Sequence, residues 1–469
     1  MRRTRSAAAL ALSLGVVASG CGGGGNAETT TAADVPAPPA PPDQGTLAVT
    51  VEDGDRGTPV AGATVVAFRS DAVIARVRTG ASGRADVPGG TRLVEVSKRG
   101  LSDGRASVRG APVAVDLYDP DLQSPEYGGG AARARHVPGV RVGPPDGPPA
   151  WTFESRTLIE FPPAVDNGLV VVGVNSGRVY GLNAETGRII WARRQKGAIA
   201  SSPAITGDTV LISSMDGALT AYTRAHGTPL WRFSTDGSPV ESSPLVVGGR
   251  AYIGTWSGRL HAVDVETGLR EWSYQAPDDI KGSAALAAGL IVVGDYSGNV
   301  HALDPATGAE RWTYTGGQRF YGGPAVSGDT IVIGDVGGAV IALDARSGAE
   351  LWRHSTGAFV YSTAAIAGGT AFIGSYSGRF EALDLATGAV RWSFDAGGRI
   401  SGSATVVDGL VYTAVLARPG EPRRTFGLDV STGAVRHRGD DGRYSPAVGA
   451  GTTLYLVGTR HLRAHPAAP

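Results

Sequence analysis

Four sets of residues in this chain have types and spacing that could do chemistry. The single cysteine, Cys21, follows an apolar run and precedes four glycines in "VASGCGGGG". A thiol placed there can be acylated, or it stays an unpaired thiol, which is unusual in a secreted chain. Asp295 and Asp335 recur in "GDYSG" and "GDVGG". Converging carboxylates can hold a hard cation, but Asp is also ordinary at hairpin ends. Indoles recur at Trp151, Trp191, Trp231, Trp272, Trp312, Trp352 and Trp392, spaced by 40 or 41 residues. Such a series is either an aromatic cofactor box or a packing device repeated in every unit. Finally, one position per unit varies while its neighbours stay alike: Glu160, Ala200, Glu241, Lys281, Tyr321, Tyr361, Ser401 and Arg443. Its charged and aromatic members, Glu160, Glu241, Lys281, Tyr321, Tyr361 and Arg443, form either a recognition face or a set of solvated loop ends. His261 and His301 share one strand position in successive units and suit packing better than ligation. H-E-x-x-H and P-loop motifs are absent from the chain.

The elements that position these residues follow from the 40-residue unit. In one copy "ESSPLVV" reads as a strand, "GGR" as a turn and "AYIGTW" as a second strand. "SG" is then a two-residue hairpin loop, "RLHAVD" a third strand, "VETG" a turn and "LREWSYQ" a fourth strand. Small two-residue loops suit the primed turns that match strand twist. Four short strands per unit, without helical periodicity, make one blade of a β-propeller. The frame Ala-x-Asp-x-x-x-Gly-x-x-x-Trp in "ALDPATGAERW" supports this reading. Asp304 caps its own turn, and Gly308 takes the left-handed conformation. Trp312 on the outermost strand covers the neighbouring blade, burying on the order of 200 Å². Ala302 leaves room for the ring, whose N–H needs a carbonyl. First strands are expected near Phe161, Ser201, Ser242, Gly282, Gly322, Ser362, Gly402 and Tyr444. The last unit lacks a fourth strand, and Trp151 stands before the first complete unit. The expected fold is therefore all-β: an eight-bladed propeller of four-stranded blades closed by the Trp151 strand, preceded by a small β-sandwich.

This frame resembles the PQQ-like repeat and its tryptophan-docking motif, from Trp151 to about Pro466. That family includes quinoprotein alcohol dehydrogenases and the propeller lipoprotein of the outer-membrane β-barrel assembly machine. The resemblance implies either a scaffold or a PQQ-dependent dehydrogenase that uses calcium. The chain has no cysteine after Cys21 to form the dehydrogenases' adjacent-cysteine ring, and no acidic insertion for calcium. The expectation is a non-catalytic binding or scaffolding protein with no cofactor and no metal; the alternative is a quinoprotein dehydrogenase.

The N-terminus has a basic start, "MRRTR", and a short apolar run, "AAALALSLGVV". Ala18, Ser19 and Gly20 before Cys21 resemble a bacterial lipobox, which implies cleavage before Cys21 and a lipid on its sulfur. A plain secretory signal is the alternative. Residues 1–20 are thus expected as a signal peptide and 21–45 as a lipidated, Gly-, Thr- and Pro-rich tether. Residues 46–118, through "PVAGATVVAF", "TGASGRADVP" and "VSKRG", resemble the carboxypeptidase regulatory-like β-sandwich, an accessory domain. Residues 119–148 read as a linker and 149–466 as the propeller. With 43 basic and 43 acidic side chains the net charge is zero, so no overall field draws the chain to nucleic acid. The expected state is a monomer held outside the cytoplasm, touching membrane only through its lipid. Its expected partner is an envelope protein or a cell-wall ligand. The basic, Pro-rich "LARPGEPRRT" in the seventh unit is a further contact candidate.

Overall fold

A computed structural model describes residues 45–467, apart from Asp146 and Pro419. Cys21, the signal peptide and the tether lie outside the described residues.

Alternating burial builds the N-terminal sandwich. Thr46–Asp53 pairs antiparallel with Arg84–Pro88 and parallel with Val113–Leu117. A second sheet runs in the order Ala72–Arg78, Thr64–Arg69, Leu93–Ser97, Gly104–Ser107. The inward residues Val49, Val51, Val65, Ala67, Val94 and Leu117 are fully buried between the two.

Eight further four-stranded antiparallel sheets follow in chain order. In blade 1 they are Ala164–Asp166, Leu169–Gly173, Arg178–Asn183 and Ile189–Arg194, from axis to perimeter. Blade 8 takes Ala447–Ala450, Thr453–Val457 and His461–Pro466 from the C-terminus and Trp151–Glu154 from the segment that leads into blade 1. Ala464 pairs with Trp151 and His461 with Glu154. The two ends of the propeller sequence therefore share one sheet, and no blade is left short of its outer strand.

The repeated frame fastens seven of the eight blades to the next, His437 standing at the tryptophan position in blade 7. Trp312 pairs across its ladder with Ala302, where the register shifts by a bulge. Its Nε1 donates to the Ala345 carbonyl of the next blade at 3.2 Å. The other six do likewise: Trp151 to Ala184, Trp191 to Arg224, Trp231 to Val265, Trp272 to Pro305, Trp352 to Leu385 and Trp392 to Val430. The glycine of the frame is where the ring lands. Gly308 has φ +71°, and a Cβ there would stand 2.6 Å from Trp272 Cε3. Asp304 accepts from the amides of Ala306 and Thr307 and from the Thr307 hydroxyl, all at 3.0 Å.

A second fastening runs around the axis. Ser202 N donates to Ser243 Oγ, Ser243 N to Ser283 Oγ and Thr363 N to Ser403 Oγ, each at 2.9 Å. Gly323 N donates to Thr363 Oγ1 at 3.1 Å. In blades 3, 4, 6 and 7 a small hydroxyl thus satisfies a buried amide of a neighbouring blade.

Candidate functional site

The segment 119–148 reads from composition as a connection, yet its first half runs through the axis of the ring. Ser124 exchanges backbone hydrogen bonds with Val165 of blade 1. The amides of Ile205, Leu286, Val326, Ile366 and Val406, in blades 2, 4, 5, 6 and 7, donate to the carbonyls of Pro125, Ala131, Ala132, Ala134 and Arg135. Val246 N of blade 3 donates to Glu126 Oε2 at 3.1 Å, and Gly451 N of blade 8 to the Leu122 carbonyl at 2.8 Å. Inner strands whose axial N–H groups would face a cavity are satisfied by this one segment.

Two arginines complete the plug. Arg133 and Arg135, 0% and 2% exposed, are buried with φ 53° each. Arg133 donates from Nε to Ala284 O at 3.0 Å and from Nη2 to Pro244 O at 2.8 Å, and its Nη1 lies 3.5 Å from Glu126. Arg135 donates to the Ala404 carbonyl and, at 2.8 Å, to Thr405 Oγ1. Its guanidinium lies 4.7 Å from the Tyr127 ring. The Tyr127 hydroxyl, on the plug's upper side, bonds Ser403 Oγ at 2.9 Å.

Above Tyr127 the channel opens into a mouth cavity of about 80 Å³. The variable position of the repeat supplies its wall: Glu160, Glu241, Lys281, Tyr321, Tyr361 and Ser401 all line it. Arg443 is placed beside that wall, its guanidinium 5.3 Å from the Tyr444 ring. Tyr321 Oη donates to Glu241 Oε1 at 2.6 Å. Trp256 Nε1 donates to Glu241 Oε2 at 3.2 Å. Lys281 Nζ sits over the rings of Trp256 and Tyr296, at 3.9 and 4.4 Å. Tyr321 meets Tyr361 edge to face with centroids 5.0 Å apart, and Tyr361 meets Tyr376 at 4.8 Å. Burial, then the Glu241 charge, holds the Glu160 carboxyl above its usual range. Burial and Glu241 together push the Tyr321 phenol far up, so it stays a donor.

The sequence reading missed half of this face. Trp256, Tyr296 and Tyr376 occupy one hairpin position, directly before Ser-Gly, in blades 3, 4 and 6. That shared register was the available signal. Trp256 is the tryptophan outside the docking series. Arg319 and Arg399 cap the rim, over Tyr296 and Tyr376 at 5.8 and 5.5 Å. The Leu416–Thr425 loop replaces the same hairpin in blade 7 and meets this rim, since Leu416 N donates to the Arg399 carbonyl at 2.7 Å.

The remaining chemical candidates are elsewhere. Asp295 is buried against His301 Nε2 at 3.3 Å, whose Nδ1 meets Glu310 at 2.7 Å. His261 packs edge-on to Phe233 at 5.2 Å. Among the described residues no group of three or more His, Cys, Asp or Glu is arranged to hold a metal. The axis does not fit a tricyclic quinone: ligand pockets run to about 300 Å³ and above, whereas the mouth holds about 80 Å³ over the plug.

The family model described as outer membrane protein assembly factor BamB matches residues 138–296, 277–360 and 336–462. The BamB of Nitrosomonas eutropha is 31% identical over 131 residues, covering 27% of this chain and 31% of that protein. The chain thus spans about a third of the length of this curated relative. Among solved structures, BamB from Moraxella catarrhalis superposes with TM-score 0.59 at 17% identity, covering 67% of this chain and 98% of that one. Quinohemoprotein alcohol dehydrogenase from Comamonas testosteroni gives 0.61 at 14% identity, covering 73% and 80%. At these identities the two structures share the fold with this chain and nothing finer.

Proposed function

Since the chain belongs to the family described as outer membrane protein assembly factor BamB, we propose that it is a non-catalytic binding and scaffolding propeller of the cell envelope. In this reading Cys21 carries the lipid that holds it to a membrane, and the ring's mouth face meets an envelope protein. One observation supports the reading most: the mouth concentrates aromatic and charged side chains around a cavity whose other side is filled by the chain's own plug. Such a ring offers one face for a partner and no throughway. Buried tyrosines beside arginine are the usual anchors of protein contacts. Among the described residues no helix is long and apolar enough to cross a membrane.

The test is co-purification of the full chain from its own membranes, beside a Tyr361→Ala variant. The expected result is an envelope protein retained by the unmodified chain and lost by the variant. Equal recovery by both would remove the mouth from the account. Saturable PQQ binding with calcium and dye reduction would instead establish the dehydrogenase reading.

A further inference from the structure

The mouth is acidic at its centre, and the cations near it, Lys281 and Arg443, do not pair directly with its two glutamates. Glu160 and Glu241 both face the axial cavity. The two oxygens of Glu241 take neutral donors, Tyr321 Oη and Trp256 Nε1. Lys281, the lysine lining the cavity, is turned onto the Trp256 and Tyr296 rings, with Asp279 Oδ2 3.7 Å from its Nζ. Among the described residues neither glutamate makes an ion pair with Lys, Arg or His within 4 Å. Glu160 is desolvated there and feels the Glu241 charge, which Arg443 only partly opposes.

Resting on the scaffold reading, we infer that this cavity is a socket for one basic side chain, lysine or arginine, of the partner polypeptide. Three features select that occupant. The carboxylates supply the counter-charge. The Tyr321 and Tyr361 rings supply the π-faces that attract a desolvated cation. The depth is limited by Tyr127 and its hydrogen bond to Ser403, so the cavity takes a linear stem with a charged head and has no room for a sugar or fused ring. The rim carries the opposite sign. Arg319 and Arg399, stacked on Tyr296 and Tyr376, repel a polybasic strand and favour a basic residue flanked by acidic ones.

The experiment titrates the purified full chain in detergent with three capped pentapeptides, followed by calorimetry and tyrosine and tryptophan fluorescence. They are Ser-Glu-Lys-Glu-Ser, its arginine counterpart and its norleucine counterpart, which keeps the stem and removes the charge. Saturable binding of the lysine or the arginine peptide is expected, at least tenfold tighter than the norleucine one. Glu241→Gln should weaken it at least tenfold while the variant still unfolds in one cooperative transition. The lysine and arginine arms decide which head the socket prefers. Equal binding of the norleucine peptide, absence of saturation by both basic peptides, or full binding by Glu241→Gln would overturn the socket. If the co-purified partner is still lost from the mouth variant after such a failure, the scaffold reading stands and only the socket falls. If the partner is also unaffected, both fall.

Discussion

Tyr321 of blade 5 donates its phenolic hydrogen to Glu241 of blade 3, 80 residues earlier, at 2.6 Å. The contact skips a blade, so it exists only when blades 3 to 5 stand in place around the axis. A hydrogen bond to a charged acceptor contributes about 1.5–3 kcal/mol. Tyr321→Phe is expected to lower stability by about 1–2 kcal/mol in urea denaturation, with the transition slope unchanged. A variant as stable as the parent would mean that the bond does not form.

The docking frame predicts a coupling between glycine and tryptophan. Gly308→Ala adds a Cβ at positive φ and 2.6 Å from the Trp272 ring, so it carries both strain and a steric clash. An expected loss of about 2–4 kcal/mol matches that of Trp272→Ala, since both undo one seam. The double variant should cost little more than the worse single one, as expected for coupled neighbours. Additive losses would show that the ring does not rest on the glycine.

The plug predicts a protection pattern. The amides of Leu286, Val326, Ile366 and Val406 donate to residues 131–135, and Arg133 ties those residues to blades 3 and 4. Removing one partner of a buried ion pair costs about 3–5 kcal/mol. Arg133→Met should destabilise by that order and expose those amides to hydrogen exchange ahead of the outer strands. Unaltered exchange would contradict the threaded channel.

Two histidines at one repeat position predict opposite pH effects. Burial holds His261 down at about 4 from an ordinary 6.5. It folds neutral, so its contribution is complete above pH 6.5 and is lost as pH falls toward 4. For His301, burial opposes protonation, but hydrogen bonds to Asp295 and Glu310 outweigh it and raise the pKa. Its contribution is complete below pH 6.5 and is lost as pH rises through the raised value. His301→Gln is expected to cost more at pH 5.5 than at pH 8.5. His261→Leu should lose less stability than the parent between pH 7 and pH 5. Thermal midpoints across that range check both, and parallel curves for the two variants would refute the pairing.

The propeller was legible because an indole marks seven of the eight seams and little else in the repeat competes with it. Trp151 showed its role by position alone: a docking residue with no complete unit before it had to belong to the last blade. The variable position of the mouth was legible for the same reason, as the odd member of a regular frame. The plug was not. "GGGAARARHVP" has the composition of a connection, and Arg133 and Arg135 look solvated. The plug's order comes from backbone groups of all eight blades, which local sequence does not carry. Trp256 was hidden by being the one tryptophan out of step with the seams. The axial hydroxyls were hidden because Ser before a small residue is common in any turn.

The central claim is that one face of the ring receives the partner, and photo-crosslinking tests it most directly. A crosslinking residue is placed at Tyr361 in the mouth, at Leu269 on the perimeter and at Thr307 on the opposite turns, in cells carrying the full chain. The account predicts a single envelope-protein adduct from Tyr361, diminished by Glu241→Gln, with none from the other two sites. Adducts from Leu269 or Thr307 but none from Tyr361 would contradict it.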